Sequence, residues 1–322
     1  MSHKPPPSDD VRMRGFLGRS RVQEAWEWID REIQSLPNET VSLSAAYGRV
    51  LAEDVTASID VPAFDRSAMD GFALRGSETT GAGDYQPLPF RIIGVSTPGK
   101  PASQTVVPGT CVRIMTGAPL PAGADAVLPA EYTRETGAVM EAVGGVPAGK
   151  NVGRIGEDIR HGARLLAEGT QLRPQDVAVL ASVGIPDVAV VRQPRVRILI
   201  TGNELVSPGQ ERETYQIYDA NSYLLRALCQ RDGAESIEVR MLPDDREQLQ
   251  QALMEPDADV ILISGGTSVG SEDFAPLLIR ELGELNFHGM AMRPSSPAGM
   301  GRIGSTWVIS ASRQSGFLPV CI

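Results

Sequence analysis

Apolar positions change their period several times along the chain. Over 21–33, Val22, Ala25, Trp26, Ile29 and Ile33 recur at helical spacing, which predicts an amphipathic helix that Pro37 ends. From 40 to 60 the alternation is loose, and the run through Tyr47, Gly48 and Leu51 predicts a short helix followed by a strand. From 61 to 154 the apolar runs are short (90–95, 106–115, 126–129) and are broken by Gly and Pro at close intervals. That is the pattern of a small β-domain with tight turns. Residues 155–192 return to the character of 21–50, with Leu165, Leu166, Leu172 and an apolar helical run at 176–183 closed by Gly184 and Pro186. A domain interrupted by an inserted domain accounts for the return.

Beyond 195 strands and helices alternate. The runs 196–201, 237–241 and 260–264 predict strands, the first and last buried on both faces, and 219–232, 244–254 and 272–282 predict helices. This alternation implies a parallel sheet in a three-layer α/β domain. Ligands of such sheets bind beyond the carboxyl ends of the strands, here 201–204 and 264–270. The predicted fold class is therefore multi-domain, α/β plus β. It has a disordered arm over 1–19, an elongated domain from 20–50 and 155–192, an inserted β-domain over 51–154, and an α/β domain over 193–309.

Composition narrows the function. A length of 322 residues suits two or three domains. The chain has no apolar run long enough to span a membrane and no apolar core in its polar, Pro-rich start, which predicts a cytoplasmic protein with no membrane partner. Three scattered cysteines exclude a disulfide framework, and three histidines exclude a His-rich metal centre. A net charge of -10 argues against nucleic acid as a partner, and any anionic ligand must be held by local donors.

The loop Ser264, Gly265, Gly266, Thr267, Ser268, Val269, Gly270 supplies such donors. Glycines let backbone N–H groups approach an anion, and hydroxyls add neutral donors, so the loop suits a phosphate or pyrophosphate. No lysine follows, so it is not a nucleotide P-loop. Glu204, Asp219 and Asp273 fall at the same end of the sheet. They read either as oxygen ligands for Mg2+ bridging to phosphate or, for Asp219 and Asp273, as helix-start carboxylates. The segment 65–72 packs Asp65, Arg66, Ser67 and Asp70 among Phe64, Met69 and Phe72, and 149–158 offers Lys150 and Arg154. Both segments also read as plain turns or linkers.

Six ordered segments, at 60–73, 112–119, 149–159, 201–205, 217–221 and 264–274, together resemble the molybdopterin molybdenumtransferases, the family of the gephyrin E domain. The resemblance implies insertion of molybdate into adenylylated molybdopterin with release of AMP, helped by Mg2+. It implies a homodimer whose active site lies between the α/β domain of one subunit and the inserted domain of the other. It also implies roles for particular residues. Asp65, Thr116, Asp158 and Glu204 are catalytic, Asp219 and Asp273 hold metal, and Ser264, Gly265, Gly266, Thr267, Ser268, Gly270 and Arg293 bind substrate.

The chain departs from the family twice. Arg293 and Ser296 stand where the family has two lysines, and the family's Leu-Pro-Gly-Asn-Pro-Val-Ser turn is missing after Trp307 and Val308. Residues 310–322, back-translated with permitted codons and read one base later, spell Leu-Pro-Pro-Gly-Asn-Pro-Val-Ser. The expectation is a frameshift near 309 that leaves an aberrant tail, no C-terminal β-barrel-like domain and a weakened α/β domain. Two alternatives to the enzyme remain open: an impaired remnant that at most binds the pterin nucleotide, and a stand-alone pterin-binding or adenylylating module.

Overall fold

The computed structural model describes residues 19–266, 273–291 and 297–311. The expected arm up to 18, Thr267, Ser268, Gly270, Arg293 and the tail from 312 lie outside the described residues. Five helices run over α1 (Val22–Glu32), α2 (Pro174–Ser182), α3 (Asn221–Arg231), α4 (Arg246–Met254) and α5 (Ala275–Leu282). The chain divides into two compact units, 40–190 and 1–39 with 191–322.

In the first unit, segments distant in sequence share one core: Leu51 and Ala46 pack with Leu172, Leu180, Val188 and Val190. Over 40–60 the short helix is the 3-10 turn Leu43–Ala45, followed by the strand Val55–Thr56 as expected, and a further strand, Asn38–Ser42, precedes both. The inserted sheet has six strands in the order Ala126–Pro129, Gly71–Leu74, Thr110–Ile114, Leu88–Ser96, Val139–Ala142, Thr133–Thr136. It is antiparallel except between Leu88–Ser96 and Thr110–Ile114. Its strands span 71–142, while Val55–Thr56 pairs back with Arg164–Leu166 outside this sheet. Phe72, Leu74, Phe90, Leu128 and Met140 form its core. Gly71 is required there, since a Cβ would sit 2.0 Å from the Leu128 carbonyl oxygen.

The second unit is the α/β domain. Its sheet runs Ser236–Leu242, Arg195–Thr201, Val260–Ser264, Thr306–Ala311, Gly299–Ile303, Glu284–His288. The first four strands pair in parallel and the last two pairings are antiparallel, so Gly299–Ile303 alone runs against the other five and the sheet is mixed rather than parallel throughout. The central strands alternate between faces. Val196, Ile198 and Ile200 pack on Leu225 and Cys229 of α3. Leu199, Ile261 and Ile263 pack on α4 and α5. Each such fully buried Leu or Ile stabilises the fold by about 1.5–3 kcal/mol. The last strand continues to Ala311, two residues beyond the boundary expected at 309.

Arg197 interrupts this apolar run and is 5% exposed. Its guanidinium donates to the carbonyls of Ala252 (3.1 Å), Glu255 (3.0 Å) and Pro256 (3.0 Å) and to Glu238 (2.7 Å). A cation at the end of α4 thus satisfies carbonyls that the helix leaves without partners. The edge strand Ser236–Leu242 carries Glu238 and Arg240, charges that discourage pairing with another edge.

Helix α1 departs from the expected grouping with 155–192. Trp28 meets Phe287 at 5.5 Å and Trp307 at 5.0 Å between ring centroids, both edge-on, which seats α1 on the α/β unit. A single amphipathic stripe shows that a helix packs but not against what.

Candidate functional site

The strand order sets where a ligand can enter. The chain leaves Arg195–Thr201 toward Ser236–Leu242 through α3, then crosses back through α4 to Val260–Ser264 on the other side. The order reverses between Arg195–Thr201 and Val260–Ser264, and the crevice at their carboxyl ends is the switch point of the sheet. Ile200 and Ser264 are partners in that ladder, so Thr201 and the glycine loop emerge side by side.

The crevice floor is tightly built. Ser264 is fully buried, and its hydroxyl accepts from Asn221 Nδ2 at 2.8 Å, which ties the start of α3 to the strand end. Gly265 N–H donates to the Ala311 carbonyl at 3.0 Å and is therefore engaged within the sheet. Gly266 has φ +57°, and a Cβ there would lie 3.3 Å from Thr201 Oγ1. Thr201 is 2% exposed, and its Oγ1 has no hydrogen-bond partner among the described residues. A buried hydroxyl without a partner is costly. Thr201 begins the segment 201–205 but is not among the predicted site residues, because its burial is set by pairing that the sequence does not display.

Asp219 is 4% exposed and accepts from the Ser222 backbone N–H at 3.1 Å and from the Ser222 hydroxyl. It therefore caps the first turn of α3 in the way the structural reading expected. Glu204 and Asn203 line an open cavity of about 710 Å³ with Glu213, Thr214, Tyr215 and Gln216. Asp273 lies two residues before α5. Among the described residues no group of three or more His, Cys, Asp or Glu could hold a metal ion. At the opposite end of the sheet a cavity of about 590 Å³ is lined by residues that include Leu36, Arg192, Arg302 and Trp307.

In the other unit, backbone pairing links the segments that carry Asp65, Thr116 and Asp158. The strand Arg66–Ser67 pairs with Val152–Gly153, and Gly117 N–H donates to the Ser67 carbonyl at 2.7 Å. Asp65 accepts from Ile155 N–H at 2.9 Å and from Arg154 at 2.7 Å; the first of these bonds in particular holds its carboxyl below the usual range. Arg66 donates to Asp158 at 3.1 Å and to Glu157 at 3.5 Å. Thr116 donates to Asp70 through both its backbone N–H (2.7 Å) and its hydroxyl (2.9 Å). Phe72 is buried as a loop anchor should be, whereas Phe64 and Met69 are exposed, as are Met115 and Ile155.

Fold and crevice together define an α/β protein with a glycine-bearing crevice at the switch point of its sheet and a separate β-unit bearing a charged cluster. Comparison with known proteins narrows that class. The family model described as MoeA N-terminal region (domain I and II) matches residues 20–184, and the one described as probable molybdopterin binding domain matches 197–315. The chain belongs to the MoeA family. It is 37% identical to a molybdopterin molybdenumtransferase of Haemophilus influenzae, covering 84% of this chain and 66% of that protein. It is 34% identical to molybdopterin molybdenumtransferase 2 of Mycobacterium tuberculosis, covering 90% and 73%. The crystal structure of the molybdopterin biosynthesis moeA protein from Pyrococcus horikoshii matches with a TM-score of 0.78 at 34% identity, covering 92% of this chain and 74% of that one. The chain thus spans about two thirds to three quarters of the length of these relatives.

Proposed function

We propose that the chain takes part in molybdenum-cofactor synthesis as a transferase that inserts molybdate into adenylylated molybdopterin and releases AMP. The observation that carries the reading is the crevice at the switch point, floored by Thr201, Ser264 and Gly266 and belonging to a chain whose relatives are named for this transfer. In this reading the loop from Gly266 onward holds the pyrophosphate, and Arg293 supplies a cation where the family has two lysines. Glu204 orients the ligand at the crevice mouth, and Asp65, Thr116 and Asp158 form the second polar surface of the reaction.

The residues fit Mg2+ only in its phosphate-bridged mode, with one or two carboxylates and the remaining ligands from phosphate and water. Both oxygens of Asp219 already receive bonds from Ser222, so a cation held there would share a carboxylate that also caps α3, and Asp273 is the second candidate. When bound, the cation would neutralise pyrophosphate charge and stabilise the departing phosphate. The chain's own part is to hold the anion on neutral donors, which a net charge of -10 makes necessary. Exposed Phe64, Met69, Met115 and Ile155 beside the charged cluster support a homodimer. A cytoplasmic location fits these substrates. Purified chain given adenylylated molybdopterin, molybdate and Mg2+ should release AMP only when molybdate is present. Hydrolysis at the same rate without molybdate would refute the transfer.

A further inference from the structure

Asp70 was noted in the sequence only as one of two acids in a loop, yet it determines how Thr116 meets a ligand. One oxygen, Oδ1, accepts both the Thr116 backbone N–H (2.7 Å) and the Thr116 hydroxyl (2.9 Å). The first of these bonds is the main cause that holds the Asp70 carboxyl below the usual carboxylate range, so it is ionised at neutral pH. An ionised carboxylate has no proton to donate, so the proton in the hydroxyl contact is that of Thr116. Both ends of the contact are anchored. The Asp70 carbonyl accepts from Ala130 N–H at 3.0 Å just before the strand Gly71–Leu74, and Ala118 N–H donates to the Met115 carbonyl at 2.9 Å across the Thr116 turn. Both residues remain exposed.

We propose that Asp70 is a positioning residue that keeps the Thr116 hydroxyl proton turned inward, so that Thr116 faces a ligand as a hydrogen-bond acceptor only. Thr116 then selects an N–H or O–H group, such as the amino and ring N–H edge of a pterin, and does not serve an oxyanion. The inference rests on the proposed function, which places Thr116 against the substrate.

The test uses the full chain with Asp70→Ala, Asp70→Asn, Thr116→Ala, Thr116→Ser and the double variant Asp70→Ala with Thr116→Ala. Affinity for adenylylated molybdopterin is read by calorimetry, and exchange of the Thr116 amide by NMR. Asp70→Ala and Thr116→Ala should each weaken binding about tenfold, the worth of one hydrogen bond, and the double variant should be no weaker than either. Asp70→Asn keeps an acceptor oxygen and Thr116→Ser keeps the hydroxyl, so both should recover most of the affinity. The Thr116 amide should exchange at least ten times faster in Asp70→Ala and stay slow in Asp70→Asn. Independent, multiplying losses in the double variant would overturn the proposal, as would an unchanged exchange rate in Asp70→Ala. Wild-type chain that bound no adenylylated molybdopterin would instead overturn the proposed function, while the exchange result would still decide the Asp70–Thr116 contact.

Discussion

Replacing Thr201 by Val separates a ligand-binding hydroxyl from a structural one. Valine nearly matches the shape of threonine but cannot make a hydrogen bond. Thr201 is 2% exposed at the end of a central strand, and its Oγ1 has no partner among the described residues. Burying a hydroxyl without a partner costs about 1–3 kcal/mol, so its removal should stabilise the α/β unit by about 1 kcal/mol. For a domain of this size that raises Tm by about 2–4 °C. The same change should weaken binding of AMP or adenylylated molybdopterin about tenfold, because a donor at the crevice floor is lost. Differential scanning calorimetry reads the first effect and titration calorimetry the second. Lower stability with unchanged affinity would mean that the hydroxyl serves the fold, and the argument from its missing partner would fall.

Other perturbations test other parts of the account. Gly71→Ala forces a Cβ to within 2.0 Å of the Leu128 carbonyl and should cost the 40–190 unit about 3 kcal/mol or more, seen as a lower denaturant midpoint. Arg197→Met leaves three carbonyls and Glu238 without their buried partner and should cost about 3–5 kcal/mol in the same assay. Asp219→Ala should cost about 1–2 kcal/mol through the lost cap, read in the same denaturant assay, and Asp273→Ala should reduce the Mg2+ dependence of ligand binding, read by titration calorimetry. Acid should weaken the α/β unit. The bond from Arg197 lowers the Glu238 carboxyl, and Arg192 and the Arg195 N–H lower Asp259 against the opposing effect of burial. Groups with depressed folded values contribute fully above the ordinary carboxylate range, near pH 4, and lose that contribution as pH falls through it. Thermal unfolding from pH 7 to pH 3 should show the loss, and Asp259→Asn should flatten it.

The strands Arg195–Thr201 and Val260–Ser264 were legible because burial on both faces writes a continuous apolar run. The glycine-rich segment after Val260–Ser264 was legible from its composition, and Gly266, at φ +57°, has a backbone that favours glycine. Four features were not. Trp28 gives no sign in sequence that it will meet Phe287 and Trp307, because a helical stripe specifies a face and not a partner. Arg197 sits where an apolar residue was due, and the helix-end carbonyls that justify it lie more than fifty residues away. Asp70 and Thr116 are 46 residues apart, and only the pairing of Gly71–Leu74 with Thr110–Ile114 brings them together. The mixed sheet also escaped notice: Glu284–His288 and Gly299–Ile303 are short and only half buried, with no run to mark them.

The central claim is that the crevice at the carboxyl ends of Arg195–Thr201 and Val260–Ser264 receives the phosphate end of the ligand. Hydrogen exchange of the full chain, with and without saturating adenylylated molybdopterin, tests it directly. The account predicts slower exchange confined within the α/β unit to 201–204, 219–222 and 264–266. Protection at the opposite end of the sheet instead, around Leu36, Arg302 and Trp307 in the 590 Å³ cavity, would contradict it.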